Sequence, residues 1–247
     1  MKSKLLNSCL AVGVLCSQAS TPLLAKSIPH NPKSGLRIGA AMGASDLRTR
    51  MDFHEIDNGA TASSSGKSAR SNGLVGGLFI GWDQYFDNLY TGVEADWNYN
   101  TAEPQALLQT FDDPPLGTDK IHGRLRHRHD FGLKFMLGHK FESFTGYVLG
   151  QVRMGIFDAS LKMNIADPNN DDRTRTHTHH KLGYGFGFGA KKHFDLFEVG
   201  IEASHTFYGK LNEKDCDQDN RAGEKTNFKV KNIQESKVLF KVSIPLV

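Results

Sequence analysis

Near its C-terminal end the chain writes one pattern twice, and that pattern permits few folds. Leu182-Gly183-Tyr184-Gly185-Phe186-Gly187-Phe188-Gly189 alternates large apolar residues with glycine. Phe197-Glu198-Val199-Gly200-Ile201-Glu202-Ala203-Ser204 alternates apolar residues with acids and small residues. Successive side chains of an extended chain point to opposite faces, so a period of two is a strand. One face of each strand is aliphatic or aromatic and the other is bare or charged. Such an apolar face either packs on a soluble core or looks at lipid while the polar face lines a closed barrel.

The same alternation predicts eight strands. They run at about Leu36 to Leu47, Gly73 to Gln84, Asn88 to Asn100, His122 to His139, Thr145 to Ile156, the two segments above, and Lys229 to Leu246. Short links follow the second, fourth and sixth strands, near Asp87, Glu142 and Asp195. Long polar links, about Met51 to Asn72, Thr101 to Ile121, Met163 to His180 and Lys210 to Asn227, follow the others. Alternating short turns and long loops on an even number of strands is the organisation of an outer-membrane barrel. No repeat, coiled coil or second domain interrupts it.

The N-terminus agrees. Met1-Lys2-Ser3-Lys4 is a basic n-region, Leu5 to Cys16 is a short apolar h-region, and Ala19 and Ala25 each end a cleavage site. This reads as a secretory signal peptide over residues 1–25. A disordered lead-in at 26–34 and a barrel domain at 35–247 follow. No segment has the roughly 18 to 20 consecutive apolar residues of a transmembrane helix. Mean hydropathy is negative, which a barrel tolerates because only alternate residues meet lipid. Cleavage leaves Cys216 as the single cysteine, so no internal disulfide framework is expected. The formal net charge of +3, with bases scattered along the strands, gives no reason to expect nucleic acid.

With signal, strand count, loop alternation and a closing strand at the C-terminus in hand, the chain resembles a known group. It looks like the small eight-stranded outer-membrane β-barrels of Gram-negative bacteria, the OmpA/OmpX-like and opacity-type families. The resemblance implies an all-β, antiparallel, up-and-down transmembrane barrel in the bacterial outer membrane. It also implies outer-membrane lipid and lipopolysaccharide, and the barrel assembly machinery, as partners. One feature departs from the pattern: the family commonly ends in an aromatic residue, and this chain ends Ser243-Ile244-Pro245-Leu246-Val247.

The interior of an eight-stranded barrel is just wide enough for side chains to fill it. The polar strand faces predict a lumenal ion-pair network of Glu94, Asp96, Arg124, Arg126, Arg128, Lys134, Glu198, Glu202, Lys237 and Lys241, because opposite charges on adjacent strands pair. The glycines at 183, 185, 187 and 189 are expected to make room for the arginines. Trp82, Tyr90, Trp97, Tyr99, Tyr184 and Phe197 are candidates for aromatic girdles, and His127 and His129 are placed on the outward face. Catalytic residues, cofactor and resident metal are expected to be absent. His177, His179 and His180 alternate without completing a metal motif. Lipid A deacylases, similar in architecture, carry their serine two residues after a histidine; here Phe207 holds that position, and Ser204 and His205 point to opposite faces. The function expected is adhesion, host recognition or envelope integrity through exposed loops. The alternatives are a narrow porin and a soluble lipocalin-like ligand-binding barrel.

Overall fold

The computed structural model describes residues 34–57, 60–113, 117–164, 173–213 and 225–246. The expected signal peptide, nearly all of the lead-in, and Cys216 lie outside the described residues. What is described is all-β: β1 (Gly35–Asp57), β2 (Ala60–Phe86), β3 (Leu89–Asn100), β4 (Gln105–Asp113), β5 (Gly117–Lys140), β6 (Thr145–Asn164), β7 (Arg173–His193), β8 (Glu198–Glu213) and β9 (Lys225–Leu246). Every pairing is antiparallel. The order β3-β2-β1-β9-β8-β7-β6-β5-β4 closes into a ring through β3–β5. Closure removes the unpaired edges of an open sheet.

Nine strands make eight staves. β3 pairs with β5 from Tyr99↔His129 to Leu89↔His139, and β4 pairs with the preceding part of β5, from Gln105↔Arg124 to Asp113↔Gly117. Residues 101–104 bridge the two: the N–H groups of Leu125 and His127 donate to the carbonyls of Pro104 and Ala102. β4 thus continues the β3 stave. Where they are described, the long links are largely strand as well. β1 and β2 stay paired out to Asp57↔Ala60, where the sequence reading ended a strand at Leu47. The reason is the alternation itself, which continues past the expected ends with Leu47, Met51 and Phe53 buried and Arg48 and Arg50 exposed.

At one end the staves join through tight turns. Asp87 takes a positive φ of 52° between β2 and β3. Phe141 and Phe144, and likewise Phe194 and Phe197, stack at 4.7 and 4.8 Å across matching turns closed by a backbone hydrogen bond. Above these turns a belt of apolar side chains faces outward on every stave. Ile38 and Met42 (β1), Leu78 and Ile80 (β2), Val93 (β3), Leu133 and Phe135 (β5), Val148 (β6), Phe186 and Phe188 (β7), Ile201 (β8) and Phe240 (β9) are all exposed. Beyond the belt the strands rise further as a tower. There the exterior is charged and one apolar cluster fills the interior.

Candidate functional site

At the level of the belt the barrel interior is charged and closed. Buried there are six bases, Arg37, Lys134, Arg153, Lys191, Lys237 and Lys241, and seven acids, Asp83, Glu94, Asp96, Asp130, Glu198, Glu202 and Glu235. Glu94 is one hub, with Lys134 Nζ at 3.0 Å, Lys241 Nζ at 2.5 Å and Arg37 Nη2 at 2.7 Å. Lys134 also reaches Asp96 at 2.8 Å and Glu202 at 2.6 Å. Asp130 is a second hub, bound by Arg153 and Lys237 and 3.6 Å from His127 Nε2. Nearer the short turns, Asp83 holds Arg37 and Lys191, and Glu198 holds His193. A charge out of water is tolerated when paired and hydrogen-bonded, and these are. A cavity among Arg37, Phe79, Tyr147, Lys191, Glu198, Gly200, Lys241 and Ser243 has a volume of about 10 Å³, room for one water.

Above this plug the interior turns apolar. Leu47, Met51, Phe53, Leu108, Ile121, Leu125, Phe157, Tyr208, Leu211, Phe228, Val230 and Ile233 form one buried cluster. His127 sits on the boundary. Its ring stacks on Phe157 at 4.5 Å, and its Nδ1 lies 3.0 Å from Glu235 Oε1.

Seven of the ten charges expected in the lumen lie there: Glu94, Asp96, Lys134, Glu198, Glu202, Lys237 and Lys241. Arg124, Arg126 and Arg128 do not. Their side chains are 40 to 49% exposed on the tower exterior, against Glu103 and Asp158. A bulge is the cause. The β5–β6 register skips between His127 and His129, so inward positions are odd up to His127 and even from Asp130. Leu125 and His127 therefore point inward, against expectation, while His129 stays outside and stacks on Trp97 at 5.7 Å. Tyr90 is no girdle residue: it is buried and donates to Asp83 at 2.8 Å. The glycine face of β7 makes room for other groups than arginine. A Cβ at Gly183 would meet the Tyr208 ring, and one at Gly189 the Tyr147 ring. Arg37, Asp83, Arg153, Lys191 and Glu235 went unread as lumenal. Arg37 between Leu36 and Ile38, and Arg153 between Val152 and Met154, carried the same alternating signal.

Three further constellations carry reactive residue types. His127, Asp130 and Glu235 place one potential ligand atom each within 4.8 Å of one another. Lys237 and Arg153 already neutralise these carboxylates, so the group works as an ion-pair cluster. His205 Nδ1 lies 2.8 Å from Ser236 Oγ on the outward face, a base and a hydroxyl in contact. Among the described residues no carboxylate orients that ring, as an activated serine requires. Ser204 is buried on the opposite face. His177, His179 and His180 lie in β7 itself, paired with Ala159, Phe157 and Ile156 of β6.

The tower exterior is basic. Among its described side chains, Asp46 lies between Arg48 and Arg70, Asp52 between Arg50 and Lys231, and Glu103 between Arg124 and Arg126. Partial burial opposes ionisation of each acid. Hydrogen bonds from Arg70 and Arg48, from Lys231 and the Gly66 N–H, and from Arg124 and Gln105 outweigh it and hold the three carboxyls below their ordinary range.

No protein-family model matches the chain, and no curated protein matches it. Solved structures resemble it in architecture. Neisserial surface protein A is 12% identical over 83% of this chain and 99% of its own, with a TM-score of 0.39. The outer membrane protein OprG of Pseudomonas aeruginosa is 10% identical over 86% and 98%, with a TM-score of 0.43. The outer membrane protease OmpT of Escherichia coli is 8% identical over 88% and 100%, with a TM-score of 0.44. These are likenesses of sheet architecture, and nothing about the chemistry of this chain follows from them.

Proposed function

We propose that this chain is an integral outer-membrane barrel of a Gram-negative bacterium, of the small OmpA/OmpX-like and opacity-type kind. Its role is to hold a strand-built tower at the cell surface for adhesion or recognition, with no transport and no catalysis. A signal peptide would bring it across the inner membrane and the barrel assembly machinery would insert it. The observation that supports this reading most is the inversion along the barrel. An unbroken outward apolar belt surrounds a charged interior, which a soluble ligand-binding barrel would have the other way round. The interior of ion pairs capped by an apolar cluster also speaks against a narrow porin.

Two measurements test the reading. The outer-membrane fraction run boiled and unboiled is expected to give a faster unboiled band, the mark of a closed detergent-resistant barrel. Protein found in the soluble periplasm with no mobility shift would overturn the membrane location and favour the lipocalin-like alternative. Planar bilayers loaded with the folded protein are expected to show no discrete conductance; steady single-channel steps would make it a channel.

A further inference from the structure

Just beyond the belt, β1, β2 and β9 turn a cluster of arginines outward. Arg48, Arg50 and Arg70 line an open cleft of about 440 Å³ together with Ser68, Asn232 and Gln234. Two carboxylates flank the three guanidinium groups, Asp46 on the belt side and Asp52 on the far side. Asp46 accepts from Arg48 Nε at 2.9 Å and Arg70 Nε at 2.6 Å, and Arg50 Nε lies 3.9 Å from Asp52. Asp52 is fixed in turn by Lys231 Nζ at 2.5 Å and the Gly66 N–H at 2.7 Å. Gly66 has a φ of +73°, and a side chain there would collide with the Arg50 guanidinium, so the glycine gives Arg50 its seat. Four bases on two acids leave the site with a net charge of plus two. The arginine side chains stay 44 to 57% exposed.

What lies beneath the cleft narrows the ligand. Ala44, two residues before Asp46, is flanked in the ladder by Leu74 and Val238, and Met42 follows it downward; Met42, Leu74 and Val238 are exposed. A fork of guanidinium donors suits the paired oxygens of a phosphate, and an apolar wall suits acyl chains. A small free anion would use only the upper half of this surface. A soluble polyanion would leave the lower half uncovered.

We propose that this cleft binds the phosphorylated head group of an outer-leaflet glycolipid, whose acyl chains lie along Met42, Leu74 and Val238. The proposal rests on the reading that the belt lies in an outer membrane. It goes further by assigning one face of the tower base as a specific site.

The test uses the full mature chain folded in neutral detergent, with native mass spectrometry reading retained lipid. The probes are a bisphosphorylated acylated glucosamine disaccharide, the same lipid without phosphates, and inorganic phosphate. Basic residues at an anionic membrane surface act additively, so the phosphorylated lipid is expected to bind at least about tenfold tighter than its dephosphorylated form. The R48S/R50S/R70S variant is expected to lose that preference. Ser68→Glu, which sets a carboxylate directly across the ladder from Arg50 and keeps all three arginines, is expected to lose it too and guards against a triple variant that fails to fold. Equal retention of both lipids by the unmodified protein, or an undiminished preference in Ser68→Glu, would overturn the proposal. Displacement of the lipid by millimolar inorganic phosphate would overturn the lipid assignment and leave a general anion site. A barrel that keeps its boiled-to-unboiled shift yet shows no phosphate preference fails this inference alone. One that shows neither fails the membrane reading beneath it.

Discussion

The belt level and the tower are built from the same period of two with its phase turned over. At the belt, Glu94 and Asp96 point inward while Val93, Ala95 and Trp97 point outward. In the tower, Leu47, Met51 and Phe53 point inward while Arg48 and Arg50 point outward. The solvent outside accounts for the difference. Where the exterior meets hydrocarbon, polar groups gather inside and must satisfy one another. Where it meets water, burial of apolar surface drives the interior, as in any soluble sheet. The boundary is marked in the backbone. The β5–β6 register slips at Arg128, the β8–β9 register slips on either side of Gly209, and Asn232 of β9 takes a φ of 52°. Bulges re-aim side chains where a sheet changes partner or surroundings.

The largest effect expected from breaking this comparison comes from the plug. Glu94 neutralises Lys134, Lys241 and Arg37 at once. Glu94→Ala leaves three buried bases short of their acid, and removing one partner of a buried pair costs about 3–5 kcal/mol. Urea unfolding in detergent, followed by the loss of the fast-running band, is expected to move to lower denaturant by that amount. A midpoint unchanged from the parent protein would mean that the interior is hydrated and open, and the sealed barrel would have to be abandoned.

A smaller and more local loss is expected in the tower. Phe157 is fully buried against His127 and Tyr208, and Phe157→Ala in a packed cluster costs about 3 kcal/mol. The belt-level ladder does not depend on that cluster. Amide exchange is therefore expected to speed up in the tower segments of β5, β6 and β8 while the band shift persists. Uniform acceleration through the belt would show that the two levels unfold as one unit and that the boundary between them has no energetic meaning.

How far the sequence foretold each level follows from where a single residue can slip. The glycine face of β7 and the acids of β8 were legible because neither strand carries a bulge in its belt segment. Arg124, Arg126 and Arg128 looked identical to lumenal bases, since charges alternate with other residues in either case. One skipped residue moves every side chain to the opposite face, and that skip leaves no signature in Arg126-His127-Arg128-His129. The tower was hidden for a different reason. Its strands are rich in Ser, Thr, Asn and Gly, as at Ala60 to Gly73, and composition of that kind reads as loop. Partners across the lumen were not legible at all. Glu94 of β3 meets Lys241 of β9, and Lys134 of β5 meets Glu202 of β8, contacts set by ring closure, not by neighbouring strands. The basic cleft needed the same closure, because its arginines come from β1 and β2 and its amides from β9.

The smallest effect expected is at Asp46, and it contrasts the exposed clamp with the buried plug. Burial resists its ionisation, but Arg70 and Arg48 hold the carboxyl below its ordinary range. A carboxyl whose folded value is depressed adds stability at pH above its unfolded value, about 3.9 for aspartate, and that contribution fades as pH falls through the lowered folded value. Side chains this exposed are screened, so the contribution to stability is minor. The titration itself is measurable. Carboxyl NMR on the folded protein is expected to give Asp46 a midpoint below the ordinary value, and Arg70→Ser is expected to bring it back toward that value while leaving urea stability nearly unchanged. An Asp46 midpoint already at the ordinary value would mean that the arginines do not grip it in solution, and that the cleft above it is a mobile fringe of charge instead of a seated site.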